Sequence, residues 1–207
     1  MSVITSIEPQ QKKNRKNVFI DGSFWAGLSD FVIIKNGLKV GKEIDEDTKK
    51  KILFEEEYEK QLKYATKLLA GSDRTVEELK TRLKKRNAPS DVINAVISKL
   101  EGYGFISDDL YLKRFVENKK GYGYYYFIEK LKEKGIDKEK IKETLDSILT
   151  KEEERNRGID LLKNQIKRWK NVEPKKKLAK MVSFLKNRGF RSEVIYSLVK
   201  IDDIGTD

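Results

Sequence analysis

The chain has 207 residues, with 45 Lys and Arg against 34 Asp and Glu, a formal net charge of +11, and neither cysteine nor histidine. That inventory excludes disulfides, thiolate or imidazole metal sites, and nucleophile arrangements that need His or Cys, so no metal and no cofactor is expected. The positive field favours an acidic partner, either nucleic acid or an acidic protein face, although net charge also serves solubility alone.

Residues 1–44 read as a small β-containing element. Residues 3–7 form a candidate strand that Pro9 ends. Val18-Phe19-Ile20 and Phe24-Trp25-Ala26 flank Asp21-Gly22-Ser23, and an Asp-Gly pair between β-prone runs signals a hairpin turn. The basic run through Lys12, Lys13, Arg15 and Lys16 is a connecting loop on this reading. Ser29 and Asp30 cap a short helix through Lys35, stopped by Asn36-Gly37. Such an element is too short to be stable alone, so it docks on the helices of the remaining chain. The longest apolar run, Phe31 to Ile34, cannot span a membrane. The N-terminus lacks the basic-then-apolar layout of a secretory signal, so a soluble cytoplasmic protein is expected.

From Asp45 onward the spacing predicts helix nearly throughout. Asp45 or Asp47 starts a long helix that carries Ile52, Tyr58, Leu62, Ala65, Leu68 and Leu69 and stops at Gly71. Thr75 with Glu78 fits a capping box for a second helix to about Arg86. Pro89-Ser90 opens a third, ending near Gly102-Gly104. Ser107 caps a fourth, with Asp108 and Asp109 at the positive end of its dipole. Gly121-Tyr122-Gly123 breaks before a fifth, about 125–134. Asp137 starts the sixth, which ends near Thr150. A seventh covers about 152–169. Pro174 suits the first position of an eighth, to about Arg188. Ser192 caps the ninth, ending near Ile201, and the tail Gly205-Thr206-Asp207 frays.

One turn recurs three times with the same internal spacing. Leu83 is followed by Asn87-Ala88 and Ile93, Leu131 by Gly135-Ile136 and Ile141, and Leu185 by Gly189-Phe190 and Ile195. Gly and Asn take a left-handed backbone at low cost and so end helices, and the apolar residue after them packs back on the last turn. Leu79, Phe127 and Met181 lie one turn before each Leu, and Ile97, Leu145 and Val199 one turn after each Ile, completing two facing apolar stripes. One copy is too small to bury its own stripes, so copies stack. The fold class is therefore mainly α: three tandem three-helix units in an elongated array, at 45–106, 107–150 and 151–207, preceded by the small N-terminal β-hairpin element.

The end of each matched helix is basic: Lys84-Lys85-Arg86, then Lys132 and Lys134, then Lys186 and Arg188. One reading is a stripe facing an acidic protein surface or phosphates. The other is that cations near a helix C-terminus complement its dipole. Lys119, Lys120, Tyr122 and Tyr124 lie in a run of cations, glycines and aromatics through Phe127. Exposed rings beside Lys can stack on unpaired bases, but a Tyr-rich helix start also packs into a neighbouring unit. Phe127 belongs to the core by its register, and Trp25 and Trp169 read as packing residues. Asp108 and Asp109 point in different directions on a helix and serve as caps rather than as a catalytic pair. Glu55-Glu56-Glu57 and Glu152-Glu153-Glu154 read as solvated faces.

Arg74-Thr75-Val76-Glu77-Glu78-Leu79 resembles the Arg-Ser/Thr-x-x-Glu-Leu signature of the RecX family, regulators of the RecA recombinase. Leu100 with Gly104-Phe105-Ile106-Ser107-Asp108 is similar to its Leu-x-x-x-Gly-(apolar)2-x-Asp segment. Leu131 with Lys134-Gly135-Ile136, and Leu185 through Arg188-Gly189-Phe190, resemble two further segments. Gly37-Leu38-Lys39-Val40-Gly41 looks like the end of the leader some members carry. The resemblance implies a non-enzymatic, mainly negative modulator that binds the RecA filament on single-stranded DNA and restrains ATP hydrolysis and strand exchange; a monomer is the default expectation. Two other classes stay open from the residues. One is a basic helical repeat binding single-stranded nucleic acid directly; the other is an enzyme limited to carboxylates and tyrosine.

Overall fold

The computed structural model describes residues 1–199; the predicted end of the last helix near Ile201 and the fraying of Gly205-Thr206-Asp207 lie outside the described residues. Strands β1 (Ser2–Pro9), β2 (Arg15–Ile20) and β3 (Ser23–Ser29) form in the predicted stretch. A two-residue strand β4 (Glu43–Ile44) completes an antiparallel sheet of order β3-β2-β1-β4. The element is thus larger than the hairpin and third strand that were expected. Asp21 and Gly22 have φ of 49° and 79°, the pair of left-handed positions whose twist suits a tight hairpin. Arg15 and Lys16, expected in the loop, instead open β2 opposite Ser29 and Leu28.

Ser29 caps helix α1 (Asp30–Lys35) by accepting from the Val32 N–H. Helix α2 (Glu46–Gly71) starts at the Asp45 cap, whose carboxylate accepts from the Thr48 N–H at 2.7 Å. Ile4, Val18, Leu28, Val32 and Ile44 share one buried cluster with Ile52 of α2. The sheet therefore lacks a complete core until α1 and the start of α2 cover it.

Seven further helices follow α2: α3 (Val76–Lys84), α4 (Ser90–Gly102), α5 (Asp108–Asn118), α6 (Tyr124–Glu133), α7 (Lys138–Ile148), α8 (Lys151–Ile166) and α9 (Pro174–Asn187). The last described helix, α10 (Ser192–Val199), begins at Ser192 itself rather than after it. A single 3-10 turn, Lys167–Trp169, extends α8 to the predicted end. The capping box is formed: the Thr75 N–H donates to Glu78 and the Glu78 N–H to Thr75, each at 3.2 Å.

The chain divides into two compact units, the first Met1–Ser72 with Lys80–Phe105, the second Asp73–Leu79 with Ile106 onward. In the first, α2 packs on α4, and Val92, Ile93, Val96, Ile97 and Leu100 are buried. In the second, α5–α7 enclose Phe127, Leu131, Ile141 and Leu145, while α8–α10 enclose Met181, Leu185, Phe190 and Ile195. Leu79 and Leu83 are also fully buried. In the third set Leu198 takes the deep position at 4% exposure, and Val199 is only partly buried against the cluster. No helix among the described residues is long and apolar enough to cross a membrane.

Candidate functional site

The three matched turns share one backbone geometry. Asn87, Gly135 and Gly189 have φ of 58°, 80° and 76°. In each, the N–H two residues past the helix end returns to the Leu carbonyl: Ala88 to Leu83 at 3.3 Å, Ile136 to Leu131 at 3.2 Å, Phe190 to Leu185 at 3.2 Å. This is the six-to-one bond of a Schellman cap, and it fixes where the basic residues point.

The cations divide by register. The residue after each Leu lies about 100° around the helix from the core stripe. Lys84, Lys132 and Lys186 occupy that position; all three are exposed and none has an ion pair among the described residues. Lys85 is exposed as well. The third residue after each Leu returns to the flank of the stripe, where its side chain reaches a neighbouring element. Arg86 donates from Nε to Gln61 at 3.1 Å and lies 4.2 Å over the Tyr64 ring. Lys134 Nζ pairs with Glu78 at 2.6 Å. Arg188 donates to the Gly121 carbonyl at 3.0 Å and covers the rings of Phe184 and Tyr122. The basic helix ends therefore divide into two sets by register: one faces solvent and the other holds neighbouring elements within a unit.

The bond to Glu78 leads the causes that raise the Lys134 ammonium above its ordinary range. Burial pushes the Glu78 carboxyl up, but its bonds from Lys134 and the Thr75 N–H outweigh this and hold it below the usual range.

The aromatic run after Lys119 is mostly spent on packing. Lys119 lies 5.6 Å from the Phe115 ring and Tyr122 stacks on Tyr126 at 3.8 Å. Lys120 is exposed. Tyr124, expected as a candidate contact, is instead 9% exposed. Its hydroxyl donates to Asp146 at 2.8 Å and the Arg191 guanidinium lies 4.6 Å over its ring. Tyr125, one residue on, is the outward ring at 55% exposure.

Burial, and after it the bond to Asp146, pushes the Tyr124 phenol up to about 12. The native state thus holds this proton more tightly than the unfolded chain. Its contribution to stability is complete below the ordinary tyrosine value of 10.0 and is lost as pH rises toward about 12. In a tyrosinate absorbance titration the most alkaline step should vanish in Tyr124→Phe; its persistence would assign that step to another ring.

Two acidic residues close joints within the second unit. Asp108, at the start of α5, accepts from the Val76 N–H at the start of α3, at 2.9 Å. Glu154, in the first turn of α8, accepts from the Tyr124 N–H at the start of α6, at 3.0 Å. Glu154 also accepts from the Arg191 N–H at 2.9 Å and from Arg191 Nε at 2.5 Å. It is 0% exposed, which overturns its assignment to a solvated face. Glu56 corrects the other run: it is buried and accepts from Arg15 at 2.6 Å and from the Ser29 N–H at 2.8 Å. The matched helix ends complete the joints. The Lys134 carbonyl accepts from the Thr75 hydroxyl at 2.7 Å, and the Arg188 and Gly189 carbonyls accept from the N–H groups of Gly123 and Tyr125. The second and third turns so receive the N-terminus of the matched helix from the preceding copy.

The carboxylates of Glu56 and Glu154 are both occupied by donors on each oxygen. Asp109, next to Asp108, pairs with Lys140 at 3.1 Å. Among the described residues no cluster of three or more carboxylates could hold a metal ion.

Comparison with known proteins gives two family matches: the regulatory protein RecX N-terminal domain over residues 2–45 and the first three-helix domain of RecX over residues 62–100. Regulatory protein RecX of Clostridioides difficile is 30% identical over 94% of this chain and 93% of its own length. That of Bacillus velezensis is 29% identical over 100% of this chain and 80% of its own. A crystal structure of regulatory protein RecX superposes with a TM-score of 0.72 at 25% identity, covering 97% of this chain and 99% of the other.

Proposed function

Because the chain belongs to the RecX family of regulatory proteins, we propose that it modulates RecA, binding the RecA filament on single-stranded DNA and restraining ATP hydrolysis and strand exchange. It does this without catalysis, as a cytoplasmic monomer. The observation that carries the reading is the recurring outward lysine: Lys84, Lys132 and Lys186 stand at the same register of three matched helices, each one residue past a fully buried Leu. The rigid cap beneath each lysine presents it to a partner in the same local geometry. Three weak contacts made by one chain then add through effective concentration. A filament of identical protomers would repeat any acidic contact that one such lysine makes.

The test replaces Lys84, Lys132 and Lys186 with Glu together. These side chains are exposed, so the fold should survive, as circular dichroism would show. Co-sedimentation with RecA, ATP and single-stranded DNA should fall by about tenfold or more, with a flatter dependence on salt. The wild-type chain should slow RecA ATP hydrolysis and the variant should not. An unmodified chain that leaves ATP hydrolysis and strand exchange unchanged at stoichiometric ratio in low salt removes this reading altogether. An unchanged affinity of the variant removes the recurring lysine from it.

A further inference from the structure

We propose that the first unit carries a separate binding surface for an unpaired polynucleotide strand: a cleft between α2 and α4, extended by the exposed rings of the turn that ends α4. Phe54 and Tyr58, one turn apart on α2, lie with rings nearly parallel, 12° apart at 6.2 Å between centroids. They line the cleft with Lys51 from the same helix and Lys99 from α4. Tyr103 and Phe105 follow α4 and are each 62% exposed, and Lys99 Nζ lies 4.5 Å over the Tyr103 ring.

The turn at Gly104 makes this arrangement anomalous. Its φ is 69°, and the Phe105 N–H returns to the Leu100 carbonyl at 2.9 Å, the same cap as in the three matched turns. In such a cap the residue after the left-handed position folds back on the helix. The large apolar residues at that position do so, Ile136 and Phe190 at 3% and 2% exposure and Leu38 after Gly37 at 7%, while the small Ala88 is partly buried. Phe105 occupies the same position and points outward. A large ring left in water where the backbone offers it cover is not explained by packing.

The charge around the rings selects the occupant. Glu55, which also lines the cleft, is already neutralised by Lys35 and accepts from Asn36 at 2.6 Å. Lys51 and Lys99 have no ion pair among the described residues. Lys35 also lies 5.6 Å from the ring of Phe31, which lines a second hollow with Lys12, Lys13 and Lys63. Glu59 is the carboxylate in that hollow without an ion pair among the described residues. Exposed rings interleaved with free ammonium groups suit stacked bases on a phosphodiester strand, and every base has a face to offer. A duplex hides those faces. An acidic protein segment would use the ammonium groups but leave four rings without purpose.

The cleft does not depend on the RecA reading, and its binding titration needs no RecA. The full chain is titrated against fluorescent oligothymidylate and against a duplex of equal length, read by anisotropy. The single strand should bind more tightly. Tyr103→Ala with Phe105→Ala should weaken that binding about tenfold or more while leaving the melting temperature nearly unchanged. Lys51→Gln with Lys99→Gln should lower the log–log salt slope by about 1.4. Equal affinity of the ring variant and the wild type, or equal binding of duplex and single strand, overturns the proposal. So does a ring variant that keeps oligothymidylate binding but loses co-sedimentation with RecA filaments, which would assign the cleft to a protein.

Discussion

Glu154→Ala is expected to destabilise the second unit by about 3–5 kcal/mol, the cost of breaking a buried ion pair from one side. Glu154 is fully buried and holds three donors: the N–H groups of Tyr124 and Arg191 and the Arg191 guanidinium. Its removal leaves two amides, those of Tyr124 and Arg191, without acceptors, each costing about 1–3 kcal/mol when water cannot replace the partner. Arg191 would keep its bond to the Leu149 carbonyl at 2.8 Å and its place over Tyr124, which do not neutralise its charge. Glu154→Gln retains an oxygen for the two amides and should lose less than Ala. Trp169 packs in the cluster of α8–α10, so in a Trp25→Phe background its fluorescence follows urea unfolding of this region. The expected result is a lower midpoint at unchanged slope. Coincident curves for Glu154→Ala and the parent would show that the carboxylate carries no such burden.

Why Glu154 escaped the sequence is instructive. It ends a run of three glutamates, and such a run on a helix ordinarily faces water. Its partner Arg191 lies 37 residues away, and Arg15 lies 41 residues from Glu56. No local rule connects them. Helix starts were legible because a cap is a local bond: Asp45, Thr75, Ser107 and Asp137 each hold an N–H within three residues. The three turns were legible for the same reason, since only a left-handed position closes them. The two-residue β4 had no periodicity to read. Tyr124 and Tyr125 differ by one step on the helix, and which of them faces inward depends on Asp146 and Arg191, both distant in sequence. The basic helix ends were read as a single feature because composition does not separate Lys84 from Arg86; the register of Leu83 does.

The joints give the matched turns a second role beyond ending helices. The turns at Gly135 and Gly189 offer carbonyls to the start of the matched helix before each, so an atom added at either glycine enters the joint. Gly189 shows this most directly. Its carbonyl accepts from the Tyr125 N–H at 2.8 Å, and a Cβ built there would stand 2.3 Å from the Tyr126 nitrogen and 2.9 Å from its Cα. These are backbone atoms and cannot swing aside as a side chain could. Gly189→Ala is therefore expected to cost about 2–5 kcal/mol, from the left-handed conformation and from overpacking together. Gly104 supplies the comparison: its φ of 69° is similar, but nothing lies within 4 Å of its Cβ position. Gly104→Ala should then cost only the conformational part, about 1 kcal/mol. Urea unfolding of both variants separates the two contributions. A large loss for Gly189→Ala beside a small one for Gly104→Ala assigns the difference to the joint. Equal losses would mean that backbone conformation alone is at work and that the turn at Gly189 does not bear on α6.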